Sequence, residues 1–472
     1  LIVMRFTGLS ALFAFVMMDT KLTMKKDLFR KSADLLSGKF NTEFNALLVY
    51  GLRIFGAFLT FLLQIFLARW MGKYEYGLFA LVWSCLIISG ELLSFGFYNL
   101  IQRLIPEYRV QGESELLRGA IWGSACSIVI ASIIASCLLY VGLYLVSTLG
   151  GLSSIYTTPL MIALLALPAF ALSDYISGIG RSYGWMVRAF APGALFRPLA
   201  IMGLLVGLVA LGFNASATVA ISGAVISIWL TLILSFAVTG FKIPVIERRG
   251  TRKYKTSAWI WAALPMMMIS SFELLLFNVD VLMISHFLEP DQTGIYFAAT
   301  KIMALVAFLN FAIGSAFNRK YAEAHASSDH GALETIIQRS ACLTFFPSLI
   351  MILFILGLHE EILSLFGQGF NNAEVVIMPL AIGLAFRAMV GPGERILMMS
   401  GQQYTCAVIY LGTVILDIGL NIYLIPIYGI EGAAIATAIS FAFMALMLLS
   451  AIKYRLNILS LPFILKAKSS TS

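Results

Sequence analysis

Charge is scarce in this sequence. Only 12% of its 472 residues are Asp, Glu, Lys or Arg, and 60% are apolar. Soluble domains carry about 25% charged and roughly 45–50% apolar residues. Too few charged side chains are present to cover the surface of a water-soluble fold of this length. A soluble enzyme, a nucleic-acid reader and a disordered scaffold are therefore excluded. Cysteine is also sparse: Cys85, Cys126, Cys137, Cys342 and Cys406 are odd in number, sit inside apolar runs and form no CxxC pair. They read as small core residues rather than disulfides or metal ligands. The four histidines (His286, His325, His330 and His359) build no HExxH, and GxxxxGK[ST] and GxSxG are both missing. No catalytic constellation remains, so the expectation is a protein that is not an enzyme and needs no cofactor.

What is present is a series of apolar runs. Twelve are long enough to cross a bilayer at roughly 20 residues each. They fall near 46–68, 79–101, 119–147, 159–178, 194–213, 217–240, 258–285, 294–316, 341–358, 374–397, 404–426 and 430–452. With the N-terminus inside, 24 Lys and Arg fall on the cytoplasmic side and two, Arg69 and Lys73, on the other. That asymmetry predicts cytoplasmic N- and C-termini and accounts for most of the net charge of +8 without nucleic acid.

The basic stretch 241–257 follows the sixth run and divides the chain into spans 1–6 (46–240) and spans 7–12 (258–452), with a cytoplasmic tail at 453–472. Residues 1–23 read as an upstream extension before Met24 or a weak extra span. Residues 24–45 put Leu28, Phe29, Leu35, Leu36 and Phe40 near one helical face among lysines, the pattern of a helix lying on a membrane surface.

The two groups of six repeat each other. WMGKYEYGLFAL (70–81) and FLEPDQTGIYFA (287–298) align Gly77 with Gly294 at a shift of 217 residues. The same shift aligns Gly212 with Gly429, and SAC at 124–126 matches SAC at 340–342 within one position. A shared shift implies duplication of a six-span unit, and an even number of spans gives both copies the same orientation. The expected fold is thus all-α, with about 12 transmembrane helices in two six-helix lobes related by a pseudo-two-fold axis along the membrane normal.

Charges inside the spans carry the functional signal, because each costs about 2.5–3.5 kcal/mol at a helix centre on insertion scales. The basic set is Arg53, Arg197, Lys301, Arg387 and Arg395; the acidic set is Glu91, Asp174, Glu273, Asp280, Asp417 and Glu394. Arg53, Lys301 and Arg387 lie several residues inside their spans. Structural ion pairing is one reading of the set, and a wet cavity that holds an anion is the other. The acids suit partner or cation-coupling roles. Gln64, Asn99, Gln102, Asn310 and Asn421 suit sugar hydroxyls or helix bridging. The small residues at 203/207 and 432/436/440 read as packing faces, and Pro168, Pro198, Pro265, Pro347 and Pro379 as breaks in spans.

Three segments resemble one family. ARWMGKYEYGLFALVWS with FGFYNLIQRLIPEYR is similar to the first-to-second-span region of oligosaccharide-lipid (Wzx-type, polysaccharide biosynthesis) flippases. These belong to the multidrug/oligosaccharidyl-lipid/polysaccharide exporter superfamily. NVDVLMISHFLEPDQTGIYFAATKI resembles the seventh-to-eighth-span region and NIYLIPIYGIEGAAIATAIS the eleventh-to-twelfth. The resemblance covers roughly 40–455. It implies alternating access and transfer of a polyprenyl-pyrophosphate-linked oligosaccharide from the inner to the outer leaflet of a bacterial or archaeal cytoplasmic membrane. It also implies membrane lipids as surroundings and a glycan polymerase and glycosyltransferases as partners. A cationic cavity is a recurring family theme and agrees with Arg53, Lys301, Arg387 and Arg395 as substrate-binding residues. The rival is a cation-coupled multidrug exporter of the same superfamily. Such exporters often carry an acid in the first span, where this chain carries Arg53.

Overall fold

The computed structural model describes the backbone of residues 6–151, 153–326 and 330–462, with side chains of the N-terminal part described only from Leu48 onward. The expected surface-lying face at 24–45 and the reading of 1–23 therefore lie outside the described side chains. The chain forms two compact units, 1–54 and 55–472, the division falling inside the first helix.

Every regular element among the described residues is helical. In chain order these are α1 (Phe6–Leu93), α2 (Phe97–Gln111), α3 (Ser114–Thr148), α4 (Ser154–Leu164), α5 (Leu167–Ser182) and α6 (Met186–Ala191), the last continued by a π turn at Pro192–Phe196. Then come α7 (Arg197–Ala210), α8 (Ala217–Val238), α9 (Val245–Arg248), α10 (Thr256–Leu276), α11 (Val279–Phe287) and α12 (Pro290–Ala326). The chain closes with α13 (His330–Gly357), α14 (His359–Ser364), α15 (Glu374–Met389), α16 (Gly393–Met399) and α17 (Gln403–Leu456). Among the described residues nine helices are long and apolar enough to cross a membrane, or ten when α4 and α5, bent by 43°, count as one span. The protein is a multi-pass membrane protein. α3 shows why no other solvent suits it: Ile130, Ile133, Ile134, Leu138, Val141, Tyr144 and Leu145 are all exposed along one helix. Such a face is tolerated only against lipid.

Two of the nine helices are too long to cross once. Gln403–Leu456 has 54 residues and would run about 81 Å if straight, against a hydrocarbon core of about 30 Å. It doubles back at Gly429, whose φ of 62° and ψ of −138° only glycine adopts readily. The fold-back is tight, since a Cβ on Gly432 would stand 2.3 Å from the Leu424 carbonyl oxygen. α1 doubles back at Gly72 (φ 75°, ψ 171°), which lets the Tyr76 hydroxyl donate to Gln64 Oε1 at 2.9 Å. The loop expected at 69–78 is thus a single reversed residue between helical segments. Gly212, which the 217-residue shift equates with Gly429, also has positive φ (90°) at the reversal between α7 and α8.

The reversals gather at one end of the molecule. There the repeat-equivalent glycines meet: a Cβ on Gly77 would lie 1.8 Å from Pro290 O, and one on Gly294 2.2 Å from Lys73 O and 3.1 Å from Gly77 N. Glycine is required at both positions because backbones touch there. Tyr76 is buried against Phe79, Phe297 and Phe370, Lys73 pairs with Asp291 at 2.8 Å, and Glu75 Oε2 accepts from Ala217 N at 2.7 Å. Close packing expected at the 203/207 pair is not found, because nothing lies within 4 Å of a Cβ built on Gly203 or Gly207. Of the expected breaks, Pro168 and Pro198 stand at helix starts, whereas Pro265, Pro347 and Pro379 lie inside helices. Cys406 is buried as expected, but Cys126 and Cys137 are exposed on α3; all five are free thiols.

At the opposite end the linker is clasped to the first half of the chain. Lys253 Nζ pairs with Glu115 at 2.7 Å, Thr251 Oγ1 donates to the same carboxylate at 2.7 Å, and Arg118 Nε donates to Thr251 O at 2.8 Å. The hydrogen bond that Lys253 donates to the Glu115 carboxylate holds its pKa above the usual lysine value. Glu247 bonds Tyr183 and pairs with Arg109 at 3.2 Å. Gly119 admits Lys253 O against its backbone.

Two outcomes follow from this packing. Gly77→Ala or Gly294→Ala overpacks a backbone contact and should cost about 1–3 kcal/mol, read as a lower Tm of the solubilised protein; an unchanged Tm would show that the contact is open. Glu115→Ala should release the linker and speed tryptic cleavage at Arg248 and Arg249 several-fold. Cleavage at the wild-type rate would show that the clasp does not hold it.

Candidate functional site

Four breaks interrupt otherwise apolar helices: between α1 and α2 (Phe95 φ 49°, Gly96 φ 67°), α4 and α5, α10 and α11, and α15 and α16 (Gly391 φ 67°). Each frees backbone groups that lipid cannot satisfy, so such breaks persist only where protein or a water-filled cavity surrounds them. The span charges sit beside these breaks. Glu91 precedes the first, Asp174 follows the second, Glu273 and Asp280 flank the third, and Arg387, Glu394 and Arg395 flank the fourth.

A cavity of about 360 Å³ lies between α2 and the pair α10 and α16. Tyr98, Asn99, Gln102 and Arg103 form one wall, and Ser270, Glu273, Glu394 and Arg395 the other. A second cavity, of about 340 Å³, shares Tyr98 and penetrates the first half of the chain, where Glu91, Asp174, Arg181, Phe190 and Arg197 line it. Arg181 lies over the rings of Tyr98 and Phe190, at 5.4 and 5.6 Å, and Arg197 over Phe170 at 5.0 Å. Arg395 lies over Phe311 at 5.6 Å. Aromatic faces thus hold three of the arginines in place.

Arg387 does not line either cavity. It is buried between Phe277 (4.8 Å) and Phe441 (5.7 Å) and paired with Glu273 at 3.0 Å. Glu273, which does face the cavity, stands in front of it. Lys301 has no ion pair among the described residues; its ammonium rests 4.0 Å from the centre of the Phe297 ring. Arg53 is half-buried and falls in the first unit.

Asp280 is gathered into a separate buried network. Its Oδ2 accepts from Tyr296 (2.5 Å) and Thr437 (2.6 Å) and its Oδ1 from Asn421 (2.8 Å). Asp417, 1% exposed, lies beside it with both carboxylate oxygens buried, against Asp280 and Ser440. Gln64 and Asn421 bridge helices, whereas Asn99 and Gln102 face the cavity.

Counting basic residues by side of the membrane assigns Arg181 to a cytoplasmic loop, yet it lies in the last turn of α5. Its spacing was the available signal. Asp174 and Arg181 are seven apart on one helix and so share a face. The expected cationic cavity is in fact balanced. Arg181, Arg197 and Arg395, with Arg387 behind, stand against Glu91, Asp174, Glu273 and Glu394; Arg103 at the rim pairs with Glu107 at 3.7 Å.

Comparison with known proteins places this geometry among membrane transporters. The profile of the family described as "Polysaccharide biosynthesis protein" matches residues 45–318, and the MatE profile matches 265–423. A probable low-salt glycan biosynthesis flippase, Agl15 of Haloferax volcanii, is 27% identical over 398 residues, covering 82% of this chain and 79% of that protein. The lipid II flippase MurJ in an inward closed conformation has the same fold. Its TM-score is 0.70 at 15% identity, over 86% of this chain and 87% of that one. A MATE-family multidrug resistance transporter of the MOP superfamily, inward-facing, gives 0.64 at 15% identity over 85% and 94%. The family match extends over more than half of the sequence and includes α2, α5, α7 and α10, four of the helices that wall the cavities. The chain belongs to the polysaccharide biosynthesis protein family.

Proposed function

We propose that the protein is a flippase that moves a polyprenyl-pyrophosphate-linked oligosaccharide from the inner to the outer leaflet of a cytoplasmic membrane by alternating access. The observation that carries this reading is the pair of adjoining charged cavities, walled by broken helices from both halves of the chain. A glycan and its phosphates are too polar to cross lipid unaided, and this is the polar enclosure they need. The lipid tail stays in the bilayer. The relative from Haloferax volcanii, a probable glycan biosynthesis flippase, supports the substrate class.

Counting each doubled-back helix as two spans and the bent pair α4 and α5 as one gives twelve, in two lobes of six, 46–240 and 258–452, joined by 241–257. Reciprocal contact of Gly77 and Gly294 is what equivalent positions make at a two-fold axis. With the termini cytoplasmic, that contact seals the outer end while the cavities lie toward the inner one. A glycan polymerase and glycosyltransferases would act on either side of the transfer.

Arg387 and Arg395 would hold the pyrophosphate, with Lys301 along its path; Arg53 stays an expected substrate-binding residue. Glu273 pairs with Arg387 and has to yield for a phosphate to reach it. Asp280 and Asp417 suit coupling, because two adjoining buried carboxylates need a proton or a cation to coexist. Glu91 and Asp174 are placed for the same work in the first half. This acid pair, with the MatE match, also favours the second reading, a cation-coupled multidrug exporter.

Cells depleted of the chain should retain lipid-linked oligosaccharide in a form protected from periodate added to spheroplasts, and re-expression should expose it. Exposure without the chain would remove the flippase reading and leave the exporter. Arg387→Ala should lower transfer at least tenfold with unchanged membrane levels. The Arg387→Ala, Glu273→Ala double variant should not recover, whereas recovery would reduce Arg387 to an ion-pair partner. A cysteine at 301 should react with a water-soluble thiol reagent in a working transporter; protection there would contradict the place of Lys301 on the path.

A further inference from the structure

The cavity in the first half holds an arrangement that ion pairing alone does not explain. Two cations, Arg181 and Arg197, and two acids, Glu91 and Asp174, line about 340 Å³. Among the described residues none of the four forms an ion pair with another. Opposite charges away from bulk water attract strongly and normally close onto each other. Here the guanidinium groups are held back on aromatic faces, Arg181 over Tyr98 and Phe190 and Arg197 over Phe170. Glu91 Oε1 and Arg197 Nε are buried with no hydrogen-bond partner. Unmet buried donors and acceptors of this kind are costly, the more so when charged.

The charges select among ligands. A pyrophosphate would gain the arginines but meet Asp174 and Glu91 in the same wall. A neutral sugar would leave the four charges to one another across the cavity, with no direct charged partner for either sign. A ligand bearing one carboxylate and one ammonium satisfies both signs. The volume lies within the ordinary range for a small-ligand site.

On the flippase reading, we infer that this cavity is the glycan subsite and is built for a zwitterionic sugar, one carrying both a carboxylate and an amine. The pyrophosphate is left to Arg387 and Arg395 across Tyr98. Asp174 and Glu91 take the ammonium, and Arg181 and Arg197 take the carboxylate.

The test is calorimetric titration of the full chain in lipid nanodiscs with four probes: 2-amino-2-deoxygalacturonic acid, glucosamine, glucuronic acid and glucose. The aminouronic acid should bind at least tenfold more tightly than any of the other three. Asp174→Asn and Arg197→Gln should each remove that preference. Equal affinity for the four probes, no binding of any, or a preference that survives both substitutions would overturn the proposal. Transfer of a lipid-linked glycan of neutral sugars, measured on the same wild-type preparation, separates the two readings. Transfer without the preference leaves the flippase and removes the zwitterion subsite. The preference without transfer of any lipid-linked glycan retains the subsite and removes the flippase.

Discussion

The rest of the structure depends on the cost of polar groups in hydrocarbon. Every carboxylate, guanidinium and freed carbonyl inside a span has to find protein or water, since lipid offers neither hydrogen bond nor counter-charge. The chain meets that requirement by concentrating its exceptions. Breaks after Leu93, Leu164, Leu276 and Met389 lie beside Glu91, Asp174, Glu273 and Glu394, so the groups lipid would reject face one another around shared cavities. α3, with its apolar exposed face, takes the lipid boundary instead. A polar interior of this kind is useful to a protein that handles a polar cargo.

The two ends are held by different physics. At the glycine end, backbones touch through Gly77 and Gly294 and aromatic rings close over Tyr76, a contact of shape that a single added carbon disrupts. At the linker end, Glu115, Lys253, Thr251 and Arg118 make a clasp of exposed charge and hydrogen bonds. Exposed pairs are weak, typically below about 1 kcal/mol. The glycine end is thus the tighter of the two and the linker end the easier one to open.

Much of this was legible in the sequence because it is periodic or costly. The 217-residue shift singled out Gly77, Gly294, Gly212 and Gly429, and the structure finds one pair in contact and the other at two chain reversals. Span charges were legible for the same reason, being too costly to occur without cause. What stayed hidden depends on three-dimensional neighbours. That Glu273 shields Arg387, that Arg181 turns into a cavity and that Gly203 and Gly207 pack against nothing are facts about facing helices. A one-dimensional pattern does not contain them. The cavity's charge balance was hidden too, because counting charges by span does not show which of them share a wall.

The central claim is that this chain alone carries a lipid-linked glycan across a bilayer. The most direct measurement uses the purified protein in sealed vesicles preloaded with a polyprenyl-pyrophosphate-linked oligosaccharide, with a membrane-impermeant glycosidase outside. Transfer by the protein should let the glycosidase consume nearly all of the glycan, including the inner-leaflet share that stays protected in protein-free vesicles. A protected share equal to that of protein-free vesicles would contradict the account.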